Sequence, residues 1–83
     1  MFKIKLTARA RKELKNLSKT HQLSIGQILE ELKQEPFAGK PLARELMRRF
    51  SYKVGVYRIV YKVNKEDNII YILTVGHRST IYQ

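Results

Sequence analysis

YKVGVYRIVYKVNKEDNIIYILTVGHRSTIY, residues 52–82, is the stretch on which the fold turns. It holds two runs of β-branched and aromatic residues, Tyr57–Val63 and Ile69–Val75, around a polar turn from Asn64 to Asn68. Such runs bounded by turn residues are the signature of a β-hairpin. Alternate residues of a strand face opposite sides. Tyr57, Ile59, Tyr61 and Val63 therefore share one face, and Arg58, Val60 and Lys62 share the other. One side reads as a core layer and the other as a basic, partly covered surface.

Working outward, Phe50–Val54 alternates in the same way and reads as a third strand. Gly55-Val56 supplies a tight turn into Tyr57, because glycine tolerates backbone angles that other residues avoid. Upstream, Pro36–Pro41 is expected to be a loop around Gly39, and 42–49 either a short helical turn or irregular chain.

At the other end, Phe2-Lys3-Ile4-Lys5-Leu6 alternates apolar and basic residues, as a half-buried strand does. Thr7 is placed to cap a helix from Ala8 to about Leu17. Ser18–Gln22 reads as a polar connection. Ser24 with Gln27 has the spacing of a capping box, and Leu23 with Ile28 that of its hydrophobic staple. Ile25, Ile28, Leu29 and Leu32 repeat at the helical period, and Pro36 stops that helix near Gln34 or Glu35. The expected fold is α+β: an N-terminal strand, a two-helix hairpin, then a three-stranded antiparallel meander, with the hairpin on one face of a small sheet. Eighty-three residues suffice for one domain, 1–83, and one core.

Composition narrows the function. Seventeen Lys and Arg against seven Asp and Glu give a formal charge of +10. A domain this basic attracts polyanions by steering and counterion release. Nucleic acid, an acidic protein and an anionic membrane surface are all candidates on charge alone. There is no cysteine, so thiol catalysis and disulfides are excluded. The first residues lack the apolar run of a signal peptide, and no stretch is long and apolar enough to span a bilayer, which fits the cytoplasm. The seven acids form no pair suited to acid–base or two-metal work, and the four glycines make no phosphate loop. No metal or cofactor is expected.

What remains is a group of cations and phenols near the sheet: Arg48, Arg49, Lys53, Arg58, Lys62, His77, Arg78 and Tyr82. Cations bind phosphate and offset charge that develops during its transfer. Tyrosine stacks on a base or moves a proton. RNA carries its own nucleophile, the 2′-hydroxyl, so a site that aligns it can cleave without metal. Any nucleic-acid binder has the same residue types. Tyr52, Tyr57, Tyr61 and Tyr71 alternate with aliphatic residues and are expected in the core. His21 is expected to be exposed, and His77 to orient a loop.

These residues, taken with LTARARKELKNL, GKPLARELMRRFSYKVGVYRIVYKV and the ending VGHRSTIY, give the chain its resemblance to the RelE/ParE toxins, most of all the RelE-like branch. The order and spacing of the pieces match nearly throughout, including the G-x-Y-R-I/V-x-Y core. The resemblance implies the toxin of a type II toxin–antitoxin system. It implies a metal-independent, ribosome-dependent endoribonuclease (an mRNA interferase) that inhibits translation by 2′-hydroxyl attack on the adjacent phosphate. By motif, Arg58 and Arg78 would be phosphate and transition-state ligands, and Tyr82 would stack on or orient the nucleotide. Lys53 would contact phosphate or act as base, while Arg48, Arg49, Lys62 and His77 would help bind RNA. Ser51 departs from the pattern, since active members often carry a lysine or arginine there. Val56 departs too, where an acidic residue is common. The implied partners are a cognate antitoxin and mRNA on the ribosome, with no membrane and a monomeric free toxin. Two alternatives stay open: a ParE-like inhibitor of DNA gyrase without nuclease chemistry, and a basic nucleic-acid-binding module with a degenerate site.

Overall fold

The computed structural model describes residues 1–41 and 49–77. Elements follow in the order β1 (Lys3–Leu6), α1 (Ala8–Lys15), α2 (Lys19–Gln34), β2 (Lys40–Pro41), β3 (Arg49–Val54), β4 (Tyr57–Asn64) and β5 (Ile69–His77). The α+β architecture is the expected one: strand, helix hairpin, meander. The last two residues of the expected loop pair with β3 as the short β2. The helical turn weighed for 42–49 lies outside the described residues, except for Arg49, which opens β3.

The strands form one sheet in the order β1-β5-β4-β3-β2. β3, β4 and β5 are the antiparallel meander. The first strand returns to lie parallel to the last, with Lys3 beside Ile69 and Leu6 beside Ile72. The hairpin α1–α2 is thus the crossover that a parallel neighbour requires. At the β3–β4 turn Gly55 has φ +61°, which a side chain would resist. Register shifts at Val60/Tyr61, whose partners on β5 are Thr74 and Ile72, so Leu73 is an extra residue. Such a bulge locally sharpens strand twist.

The helices start where side chains can satisfy free amides. The Thr7 hydroxyl accepts from the Ala10 amide at 3.1 Å and donates to the Leu73 carbonyl at 3.0 Å. One residue therefore caps α1 and ties it to the bulge. The second helix starts six residues earlier than the Ser24 capping box would have it. Its N-cap is Ser18, which accepts from the His21 amide. Ser24 sits inside the helix and donates to the Thr20 carbonyl, and Leu23 is 71% exposed, so no staple forms. The reason is that nothing between 18 and 24 breaks a helix, and an earlier cap adds backbone bonds at little nucleation cost. Gln22, now in the second turn, uses its amide to cover the Lys15 and Leu17 carbonyls at the end of α1. The expected stripe holds: Ile25 and Leu32 are buried, and Ile28 and Leu29 pack against the core.

The core lies between the hairpin and one sheet face. Ala10, Ile25 and Leu32 meet Ile59, Tyr61, Val63, Ile70, Ile72 and Val75. Tyr61 is fully buried, and its hydroxyl accepts from the Gly39 amide at 2.9 Å. Burial raises the Tyr61 phenol above its ordinary pKa of 10.0, against a smaller lowering by the Gly39 bond. Tyr71 departs from expectation. Ile70 and Ile72 point into the core, so Tyr71 between them lies half-buried on the opposite face.

Candidate functional site

The sheet face turned away from the helices carries the cations, and register shows how they are set out. Lys53 on β3 is directly opposite Arg58 on β4, and Arg49 is directly opposite Lys62. Ser51 and Val60 form the pair between them and are 5% and 7% exposed. The two cation pairs are four residues apart along the strands, about 14 Å at ordinary strand rise. Like charges held opposite one another repel. That cost is tolerable where an anion neutralises both.

Arg58 is half-buried, and its Nη1 donates to Ser51 Oγ at 3.3 Å. The serine noted as a departure from the family pattern thus holds the guanidinium in place. A lysine at a position so buried would instead set a third cation against Arg58 and Lys53. This role has no signature in the sequence, because it depends on the β3–β4 register that places Ser51 diagonally beside Arg58. Beside these residues is an open recess of about 450 Å³, lined by Ala38, Gly39, Ser51, Tyr52, Lys53 and Arg58. Gly39 forms its wall because an added Cβ would stand 2.5 Å from Tyr61 Oη and 3.1 Å from the Ser51 carbonyl oxygen. A larger recess, about 650 Å³, lies at the far end of the same strands around Phe37, Phe50, Lys62 and Lys65. It holds no part of the Lys53–Arg58 pair.

The remaining candidates divide. Arg49, Lys53 and Lys62 are exposed on this face. His77 is exposed at the end of β5 but pairs with Tyr57, which puts it on the helix-side face. There the Tyr57 ring stands between His77, at 5.9 Å, and His21, at 4.7 Å. Arg48, Arg78 and Tyr82 lie outside the described residues. Among the described residues no group of three or more His, Asp or Glu side chains is spaced to hold a metal ion, and no helix is long and apolar enough to cross a membrane.

These features define a class: a small, strongly basic α+β domain whose helix hairpin covers one sheet face while paired cations stand on the other. The family described as the ParE toxin of the type II toxin–antitoxin system parDE matches residues 4–82. The toxin RelG of Mycobacterium tuberculosis is 34% identical over 99% of this chain and 97% of its own. In the crystal structure of the RelBE2 toxin–antitoxin complex from that organism, a chain 34% identical superposes with a TM-score of 0.84, covering 93% of this chain and 98% of that one. The isolated Escherichia coli RelE toxin is 26% identical and superposes with a TM-score of 0.83, over 99% of this chain and 92% of its own. The chain belongs to the RelE/ParE family of type II toxin–antitoxin toxins.

Proposed function

We propose that this toxin is a ribosome-dependent endoribonuclease that cleaves mRNA and so arrests translation in the cytoplasm. The observation that carries the reading is the Lys53–Arg58 pair, with Arg58 anchored by Ser51 beside an open recess. The RNA 2′-oxygen attacks the adjacent phosphorus, its proton passes to a base, and the bond to the 5′-oxygen breaks as that oxygen takes a proton from water. The products are a cyclic phosphate and a free 5′-hydroxyl. Negative charge grows on the non-bridging oxygens as the bond forms. A guanidinium fixed before the reaction stabilises that charge without reorganising. Arg58 takes this role, Lys53 binds the phosphate or receives the proton, and Arg78 and Tyr82 complete the site as leaving-group and nucleotide ligands. No resident metal is invoked, since cations of the chain offset the charge.

An antitoxin holds the toxin inactive, as the RelBE2 complex from Mycobacterium tuberculosis and the +10 charge of this chain both support. An acidic, extended segment that orders on binding would meet the cationic face and the hairpin.

Primer extension on mRNA after induction tests the reading. Induction should give discrete cleavages on translated messages. Arg58→Ala should abolish them while circular dichroism stays native, a loss of at least about 100-fold for one transition-state donor. Intact messages with trapped gyrase–DNA complexes would instead identify a gyrase inhibitor. An unfolded Arg58→Ala protein would make the arginine structural.

A further inference from the structure

A second feature of the cationic face is absorbed neither by the core nor by the Lys53–Arg58 site. Four residues stand in one register row across four strands: Arg49 on β3, Lys62 on β4, Tyr71 on β5 and Lys5 on β1. Residues directly opposed in a sheet share a face, so all four point away from the helices. Arg49, Lys62 and Lys5 are exposed and Tyr71 is half-buried. Among the described residues no hydrogen bond or ring contact engages the Tyr71 side chain. Lys3, exposed on the same face, extends the positive charge along β1. No residue of β1, β3, β4 or β5 on that face is acidic.

We propose that this row is a subsite for single-stranded RNA flanking the cut, with a base stacked on Tyr71 and phosphates on Lys62 and Lys5. The proposal rests on the endoribonuclease reading and gives it a substrate path. Neighbouring strands are about 4.8 Å apart, so Lys62 and Lys5 stand about 10 Å apart with the tyrosine midway. A ring between two cations is the arrangement by which single-stranded nucleic acid is held: a stacking surface for a base and positive charge on both sides for its phosphates. The row is about 14 Å along the sheet from Lys53–Arg58, a span that a few nucleotides cover. A folded duplex would not present an unstacked base to Tyr71, which makes the ligand a single strand. Charge complementarity also admits an acidic antitoxin segment, but carboxylates do not stack on the ring as a base does.

Fluorescence anisotropy with a single-stranded RNA of about a dozen nucleotides, blocked at its 2′-positions against cleavage, tests the row. Tyr71→Ala should weaken binding about five-fold or more, the effect of one lost base stack. Tyr71→Phe, which keeps the ring, should bind like the wild type. Lys5→Ala and Lys62→Ala should each lower the slope of log affinity against log salt by about 0.7, one phosphate contact apiece. Folded Tyr71→Ala protein that binds the long RNA as well as wild type overturns the proposal. So do unchanged RNA affinity and a weakened grip on poly-glutamate, which would assign the row to an acidic protein. Cleavage by the wild type is scored separately. RNA binding that depends on Tyr71 without cleavage would keep the subsite and reject the endoribonuclease.

Discussion

Glu13 should contribute more to stability than any other acid among the described residues, and replacing it separates two explanations of why. Strand β1 pairs with β5 only as far as Ile72, so among the described residues the edge of β5 beyond it has no strand partner on that side. An open edge invites pairing with other chains, and proteins cover it. Here α1 supplies the cover. Glu13 Oε1 accepts from the Val75 amide at 2.9 Å and from the Thr74 hydroxyl at 2.7 Å. Val75 is 1% exposed and Thr74 is 9% exposed, so water does not readily replace the carboxylate. Hydrogen bonds to a charged group contribute roughly 1.5–3 kcal/mol, and a buried donor left without a partner costs about 1–3 kcal/mol. The Glu13 side chain is 29% exposed, which places the loss for Glu13→Ala in the lower part of the combined range, about 2.5–4 kcal/mol. Glu13→Gln keeps an oxygen at the same place and should lose about 1 kcal/mol or less. For a domain of this size each kcal/mol moves Tm by roughly 4–8 °C, so Glu13→Ala should fall by more than about 10 °C. Arg9, which pairs with the other Glu13 oxygen, is 70% exposed, and Arg9→Ala should change stability by no more than about 0.5 kcal/mol. Urea and thermal unfolding of the three variants give the comparison. Equal small losses for the Ala and Gln variants would refute the reasoning, because they would mean that solvent already serves that edge.

Three further outcomes are expected. Tyr61 has a raised pKa in the fold, so the unfolded chain loses its phenolic proton first as pH rises; the stability that Tyr61 contributes is complete below about pH 10 and declines above it. The difference in stability between wild type and Tyr61→Phe should therefore shrink in alkaline urea titrations, and a constant difference would contradict the assignment. Gly39→Ala should cost about 1–3 kcal/mol, because the new methyl group meets Tyr61 and the Ser51 backbone, and chemical denaturation reads it directly. Ser51→Ala should leave the fold intact and slow RNA cleavage about ten-fold, the equivalent of one hydrogen bond to a charged group; cleavage at the wild-type rate would show that Arg58 needs no such anchor.

The sequence by itself determined the elements with a strong local period. The alternation of Tyr57, Ile59, Tyr61 and Val63 and the stripe Ile25, Ile28, Leu29, Leu32 specify a strand and a helix through burial of one face, and both stand as read. Thr7 caps α1 as its chemistry demands, whereas the capping-box spacing at Ser24 pointed to a later start for α2 than the Ser18 cap that the structure shows. Local pattern also showed that Arg58 and Lys62 share a face. It did not show which residues of other strands stand beside them, because pairing between strands distant in the chain is fixed by packing and turn geometry, not by neighbours in sequence. Only the tertiary structure placed β1 parallel to β5, so that Lys5 falls in line with Tyr71 and Lys62. Only the tertiary structure set Ser51 against Arg58 and brought Glu13 to the edge of β5, 61 residues away from Thr74 along the chain.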